Sequence, residues 1–142
     1  MDSKILLIFV HLFGLPSVCG IFGIGRLQSV GVEGKLCCQK IPAKNLTVSL
    51  YDDEWFYDAL LNRTRTNDQG MFIFVGSKRE ITSLEPYVEI IHQCNVTKGC
   101  EETVTIKVPP PYVFMGPRLE SNYKIKLDLA KHTMSKKLNC RK

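Results

Sequence analysis

Cysteines are the first residues here that could do chemistry, and they stand at positions 19, 37, 38, 94, 100 and 140. Cys19 closes an N-terminal stretch in which Lys4 precedes the apolar run ILLIFVHLFGL, followed by Pro16, Ser17 and small residues. That layout predicts a cleavable secretory signal over residues 1–20, and the run is shorter than the roughly 20 apolar residues of a membrane anchor. Export would leave Cys37, Cys38, Cys94, Cys100 and Cys140 in an oxidising compartment, where thiols pair. Cys94 and Cys100 sit at the two bases of the loop NVTKG, between two strand-like runs. A bridge across that short loop would stabilise by roughly 2 kcal/mol through loop closure. Cys37 and Cys38 are adjacent, so on a strand they point to opposite faces and must do different jobs.

The other reactive side chains give weaker signals. Downstream of the leader the histidines are His92 and His132. His92 lies on the inward face of a strand pattern, where a histidine satisfied by hydrogen bonds is the ordinary outcome; His132 lies in the tail, with nothing to hold it in a catalytic geometry. No nucleophile stands in a motif with a base, and the cysteine spacing lacks the paired layout of zinc sites. We therefore expect no enzyme activity, no metal and no cofactor. The stretch DDEWFYDALLNR brings Asp52, Asp53, Glu54 and Asp58 beside Trp55, Phe56 and Tyr57. Its acids could collect Ca²⁺, although the EF-hand spacing is absent. Its aromatics either anchor a partner, as large aromatics do at interfaces, or fold back over one end of the domain.

Three sequons, at Asn45, Asn62 and Asn95, offer N-glycosylation sites at positions expected in loops or strand ends. From Ile21 to Ala130 the chain holds 13 Lys plus Arg and 13 Asp plus Glu, so the net charge of +5 lies in the tail KHTMSKKLNCRK. Its cations, Lys131, Lys136, Lys137, Arg141 and Lys142, form either a solubilising terminus or a surface for an anionic lipid, glycosaminoglycan or acidic protein.

The elements that must position these groups read as strands. About 120 residues after the leader suffice for one domain, assigned to residues 21–142 with the basic tail at 131–142. Alternation of period two recurs. In SVGVEGKLCC, Val30, Val32, Leu36 and Cys38 share one face and Glu33, Lys35 and Cys37 the other. Leu46, Val48 and Leu50 face inward in the next strand, DDEWFYDALLNR is expected as an exposed loop, and Asn67 to Gly70 form a turn before Phe72 and Phe74. SKREITSLEP reads as a polar connection. YVEIIHQC and EETVTIKVP form a hairpin, stopped by Pro109 to Pro111, and YKIKLDLA ends the pattern. Seven or eight short antiparallel strands imply an all-β sandwich of two sheets.

RLQSVGVEGKL, PAKNLTVSLYD, TNDQGMF, the YVEIIHQC-to-Cys hairpin and the C-terminal cysteine together resemble the nematode transthyretin-like family, from about Gly25 to Cys140. The resemblance implies a transthyretin-type sandwich and a secreted, extracellular protein, with some members bridging surface ligands such as exposed phosphatidylserine to receptors. Related hydrolases use a C-terminal Tyr-Arg-Gly-Ser signature and a first-strand His; this chain ends LNCRK and carries Glu33 and Lys35 in that strand. Cys38 matches the family's first-strand cysteine and is paired with Cys140, which would tie the tail down. Cys37 is then left over, as a bridge to a second copy in a homodimer or as a free thiol. The expectation is a non-enzymatic extracellular binding protein whose partner is another protein or an anionic lipid surface, with no nucleic-acid role and no transmembrane segment. The alternative is a carrier of a small apolar ligand at an oligomer interface.

Overall fold

A computed structural model describes residues 25–131 and 135–142. The expected signal at 1–20 and His132 lie outside the described residues. Among the described residues ten strands follow in order: β1 (Arg26–Cys38), β2 (Ile41–Pro42), β3 (Thr47–Asp53), β4 (Asp58–Arg65), β5 (Met71–Glu80), β6 (Pro86–His92), β7 (Cys100–Lys107), β8 (Val113–Met115), β9 (Tyr123–Asp128) and β10 (Ser135–Cys140). A 3₁₀ turn, Pro110–Tyr112, follows β7, as expected where three prolines remove the ladder donors.

Two sheets stack as the alternation requires. The first is built on β1, which pairs β5 from Arg26 to Lys35 along one edge. Its other edge carries β8 at Gln28–Val30 and β9 at Val32–Cys37 in series. The second runs β10-β7-β6-β3-β4, each pair antiparallel. Val30, Val32 and Leu36 of β1, with Phe72 and Phe74 of β5, meet Val48, Leu50, Val88, Ile90, Val104 and Ile106 of the facing sheet in one buried cluster. Gly34 sits among them because a Cβ there would lie 2.5 Å from the Phe72 ring. Among the described residues no helix is long and apolar enough to cross a membrane.

Local pattern misled in several places. The stretch expected as an exposed loop folds as the end of β3, a bend at residues 55–57 and the eight-residue strand β4. Its alternation is blurred because β4 is a sheet edge and Leu60 stays half exposed next to Leu61. SKRE belongs to β5, since Ser77 to Glu80 pair with Ser29 to Arg26. The turn expected at Asn67 to Gly70 is present, and it joins β4 of one sheet to β5 of the other. β9 lies parallel to β1, so the sandwich is not wholly antiparallel. The tail contributes a strand, β10, along the edge of β7. Asn45 and Asn95 sit in turns with φ of 56° and 52°, but Asn62 stands within edge strand β4, where its amide donates to the Val75 carbonyl at 2.8 Å.

Candidate binding surfaces

The same four cysteines form two disulfides, but with other partners than the sequence suggested. Cys38 bonds Cys94, and Cys100 bonds Cys140. The ladder of β6 with β7 ends at His92↔Glu102, two residues short of placing Cys94 opposite Cys100. There His92 Nδ1 accepts the Cys94 amide at 3.0 Å, turning the chain out of the ladder and Cys94 toward the end of β1. Cys100 instead faces Cys140, its register partner on β10. Reading the tail as irregular hid that neighbour. Cys37 is the free cysteine among the described residues; it is half-buried, with Sγ 3.7 Å from the Leu127 carbonyl oxygen.

His92 is buried in the interior as its strand face predicted. With Nδ1 accepting a backbone N–H, its ring proton belongs on Nε2, which faces Glu102 Oε1 at 3.6 Å. Both nitrogens are thus committed to structure.

The acidic and aromatic stretch forms the tip of the β3–β4 hairpin. Trp55 is 92%, Phe56 85% and Tyr57 63% exposed, so the aromatics stand out from the sandwich and do not cap its end. The Trp55 and Phe56 rings lie 4.9 Å apart. Their base is fastened: the Tyr87 hydroxyl donates to Asp58 Oδ2 at 2.6 Å, and Tyr87 stacks on Tyr51 at 5.4 Å. Partial burial, then the bond to the Asp58 carboxylate, hold the Tyr87 phenol well above its ordinary range. Asp52, Glu54 and Glu80 converge, and the Lys78 ammonium lies among all three. Of the four acids considered for Ca²⁺, Asp52 and Glu54 turn to Lys78, whereas Asp58 turns to Tyr87.

The tail cations do not form one patch. Lys136 shares a ladder position with Val104 and reaches Glu102 at 3.7 Å, while Lys137, one residue on, projects to the opposite face of the strand. Lys131 follows β9, and Arg141 and Lys142 continue beyond β10, where the Arg141 amide donates to Gly99.

Cations gather elsewhere, on the outer face of the β1 sheet. A groove of about 620 Å³ is lined there by Met71 and Ile73 with Lys35, Lys124, Lys126 and Arg65. Glu33 pairs with Lys124 at 3.7 Å, and Arg65 donates to the Asn45 carbonyl at 3.3 Å. Inspection of isolated strands missed this surface because its cations come from three separated segments. One signal was present: MFIFV is apolar at consecutive positions, so one face of β5 had to turn apolar groups outward.

A model of the transthyretin-like family matches residues 33–109. Transthyretin-like protein 5 of Caenorhabditis elegans is 40% identical over 103 residues, 70% of this chain and 74% of that protein. This chain belongs to the transthyretin-like family. Two further Caenorhabditis elegans members agree: transthyretin-like protein 33 is 34% identical over 69% of this chain and 71% of its own length, and transthyretin-like protein 1 is 33% identical over 86% and 83%. The family match spans the aromatic tip, His92 and Cys94, whereas Lys124, Lys126 and β10 lie beyond it. Among solved structures, a 9R-lipoxygenase from Cyanothece aligns with 72% of this chain and 16% of its own at a TM-score of 0.42 and 13% identity, too low a likeness to bear on function.

Proposed function

We propose that this member of the transthyretin-like family is a secreted, non-enzymatic binding protein that engages an extracellular protein through the Trp55–Tyr57 tip. The observation that carries the reading is the exposure of that tip on a fastened hairpin: Trp55 and Phe56 are 92% and 85% exposed. Large aromatics held out at low entropic cost are the residues that anchor interfaces. Two disulfides suit an oxidising, extracellular setting. Sequons at Asn45 and Asn95 lie in exposed turns where an oligosaccharide has room. The scattered tail cations favour a protein over an anionic lipid surface as the partner.

The test compares affinity capture from extracellular fluid by the secreted, glycosylated chain and by Trp55→Ala/Phe56→Ala. Both residues are exposed, so the variant folds; a partner retained by wild type is lost at least tenfold in the variant. Equal recovery of the same partner by both would sink the reading. A homodimer through Cys37 would show as a band on non-reducing electrophoresis that Cys37→Ser removes, and a band that survives the substitution excludes that bridge.

A further inference from the structure

We propose that the groove on the outer face of the β1 sheet binds one long-chain carboxylate per chain, with its head between Lys35 and Lys126 and its hydrocarbon along β5. This site is separate from the aromatic tip and does not depend on the reading given for it.

Charge carries the first part of the argument. Lys35 and Lys126 are register partners on the parallel strands β1 and β9, so two exposed ammonium groups stand side by side on one face. Like charges directly opposite each other destabilise a sheet, and among the described residues neither lysine is held in an ion pair. Arg65 and the Lys124–Glu33 pair complete the rim, leaving an excess of positive charge at the Met71 end of the groove. An anion seated between Lys35 and Lys126 replaces a repulsion with two charge-assisted contacts.

Apolar surface carries the second. Met71, Ile73 and Val75 are 50%, 61% and 44% exposed, although Phe72 and Phe74 between them already fill the core side of β5. An apolar row on a sheet-edge strand invites aggregation unless something covers it. Met71 and Ile73 line the groove and Val75 continues the row beyond it, four residue steps or about 14 Å of strand in all; a row one residue wide matches an extended chain better than a fused ring. Met71 is the register partner of Lys35 and Ile73 of Glu33, which places the cationic end and the start of the apolar row side by side. The groove's volume falls in the range of small-molecule sites, and it lies within one protomer, so no oligomer interface is required.

The experiment titrates the secreted, delipidated chain with oleate below its aggregation concentration, followed by calorimetry and native mass spectrometry. The expected result is saturable binding of one oleate per chain, with methyl oleate at least tenfold weaker. Lys35→Gln/Lys126→Gln weakens oleate at least tenfold while its ligand-free thermal midpoint is no lower than wild type, because the repulsion is gone. Ile73→Glu, an exposed substitution, weakens oleate by a similar factor, and Trp55→Ala/Phe56→Ala leaves oleate binding unchanged. Absence of saturable oleate binding overturns the proposal. So does equal affinity for the methyl ester, wild-type affinity in the doubly neutralised variant, or binding to anionic phospholipid vesicles without binding to monomeric oleate.

Discussion

Cys38–Cys94 and Cys100–Cys140 close loops of similar length, with sequence separations of 56 and 40, yet their removal should have different consequences. Loop-closure entropy assigns each about 4 kcal/mol at 25 °C, before any strain or residual structure is subtracted. Cys38–Cys94 joins the end of β1 in one sheet to the turn after β6 in the other, and Cys94 packs against the buried cluster. Its constraint is therefore felt by the whole cooperative unit. For Cys38→Ser/Cys94→Ser we expect the unfolding free energy to fall by about 2 to 4 kcal/mol, a large share of the roughly 5 to 15 kcal/mol that holds a domain folded. Cys100–Cys140 fastens β10, whose side chains from Lys136 to Cys140 are all exposed. Without that bond the edge can open and leave the core intact, so Cys100→Ser/Cys140→Ser should shift global unfolding by less than half as much. In that variant the amides of 135–140 should exchange freely, and trypsin should cut after Lys136 and Lys137, while β6 stays protected. Urea unfolding monitored at Trp55 is unsuitable, since that ring is already exposed, so far-ultraviolet dichroism with hydrogen exchange is the assay. The reasoning fails if the second variant is the less stable one, or if non-reducing peptide mapping links Cys94 to Cys100.

Two further outcomes follow from backbone geometry. Gly70 has φ of +73°, and a Cβ there would collide with the carbonyl oxygen of Leu36 on β1, the residue whose N–H donates to the Gly70 oxygen at 2.8 Å; Gly70→Ala should cost at least about 1 to 3 kcal/mol in thermal or urea unfolding. Gln39 and Lys40 both have positive φ, and their amides donate to the two oxygens of Asp128 at 3.0 and 3.3 Å. The Ala130 amide donates to the same carboxylate, and these bonds hold its pKa below the ordinary value. A carboxyl depressed on folding contributes stability above its unfolded pKa of about 4 and loses it as pH falls through the lower folded value. Asp128→Asn should thus flatten the acid limb of the stability profile, and an unchanged limb would rule out this role.

Alternation was legible where a strand has one buried and one wet face. Val30, Val32 and Leu36 were assigned to one face and Val48 and Leu50 inward, and all five are buried. It failed at sheet edges. β4 and β10 each have a neighbour on one side only, so their side chains need not segregate and the period weakens. The family itself was legible in the motifs between Gly25 and Cys140, as the match over residues 33–109 bears out.

For function the division falls along the same line. Sequence determined which residues were available: five thiols and two histidines after residue 20, one cluster of aromatics beside acids, and a balanced main body with a basic tail. It also placed His92 on an inward face, because side-chain direction along a strand is a local property. Which thiols meet, and which cations share a surface, depend on the lateral order of strands, and that order arises from non-local packing. Cys140 finds Cys100 only because β10 docks on β7. Lys126 comes to lie beside Lys35, ninety-one positions away in the chain, only because β9 docks parallel on the free edge of β1.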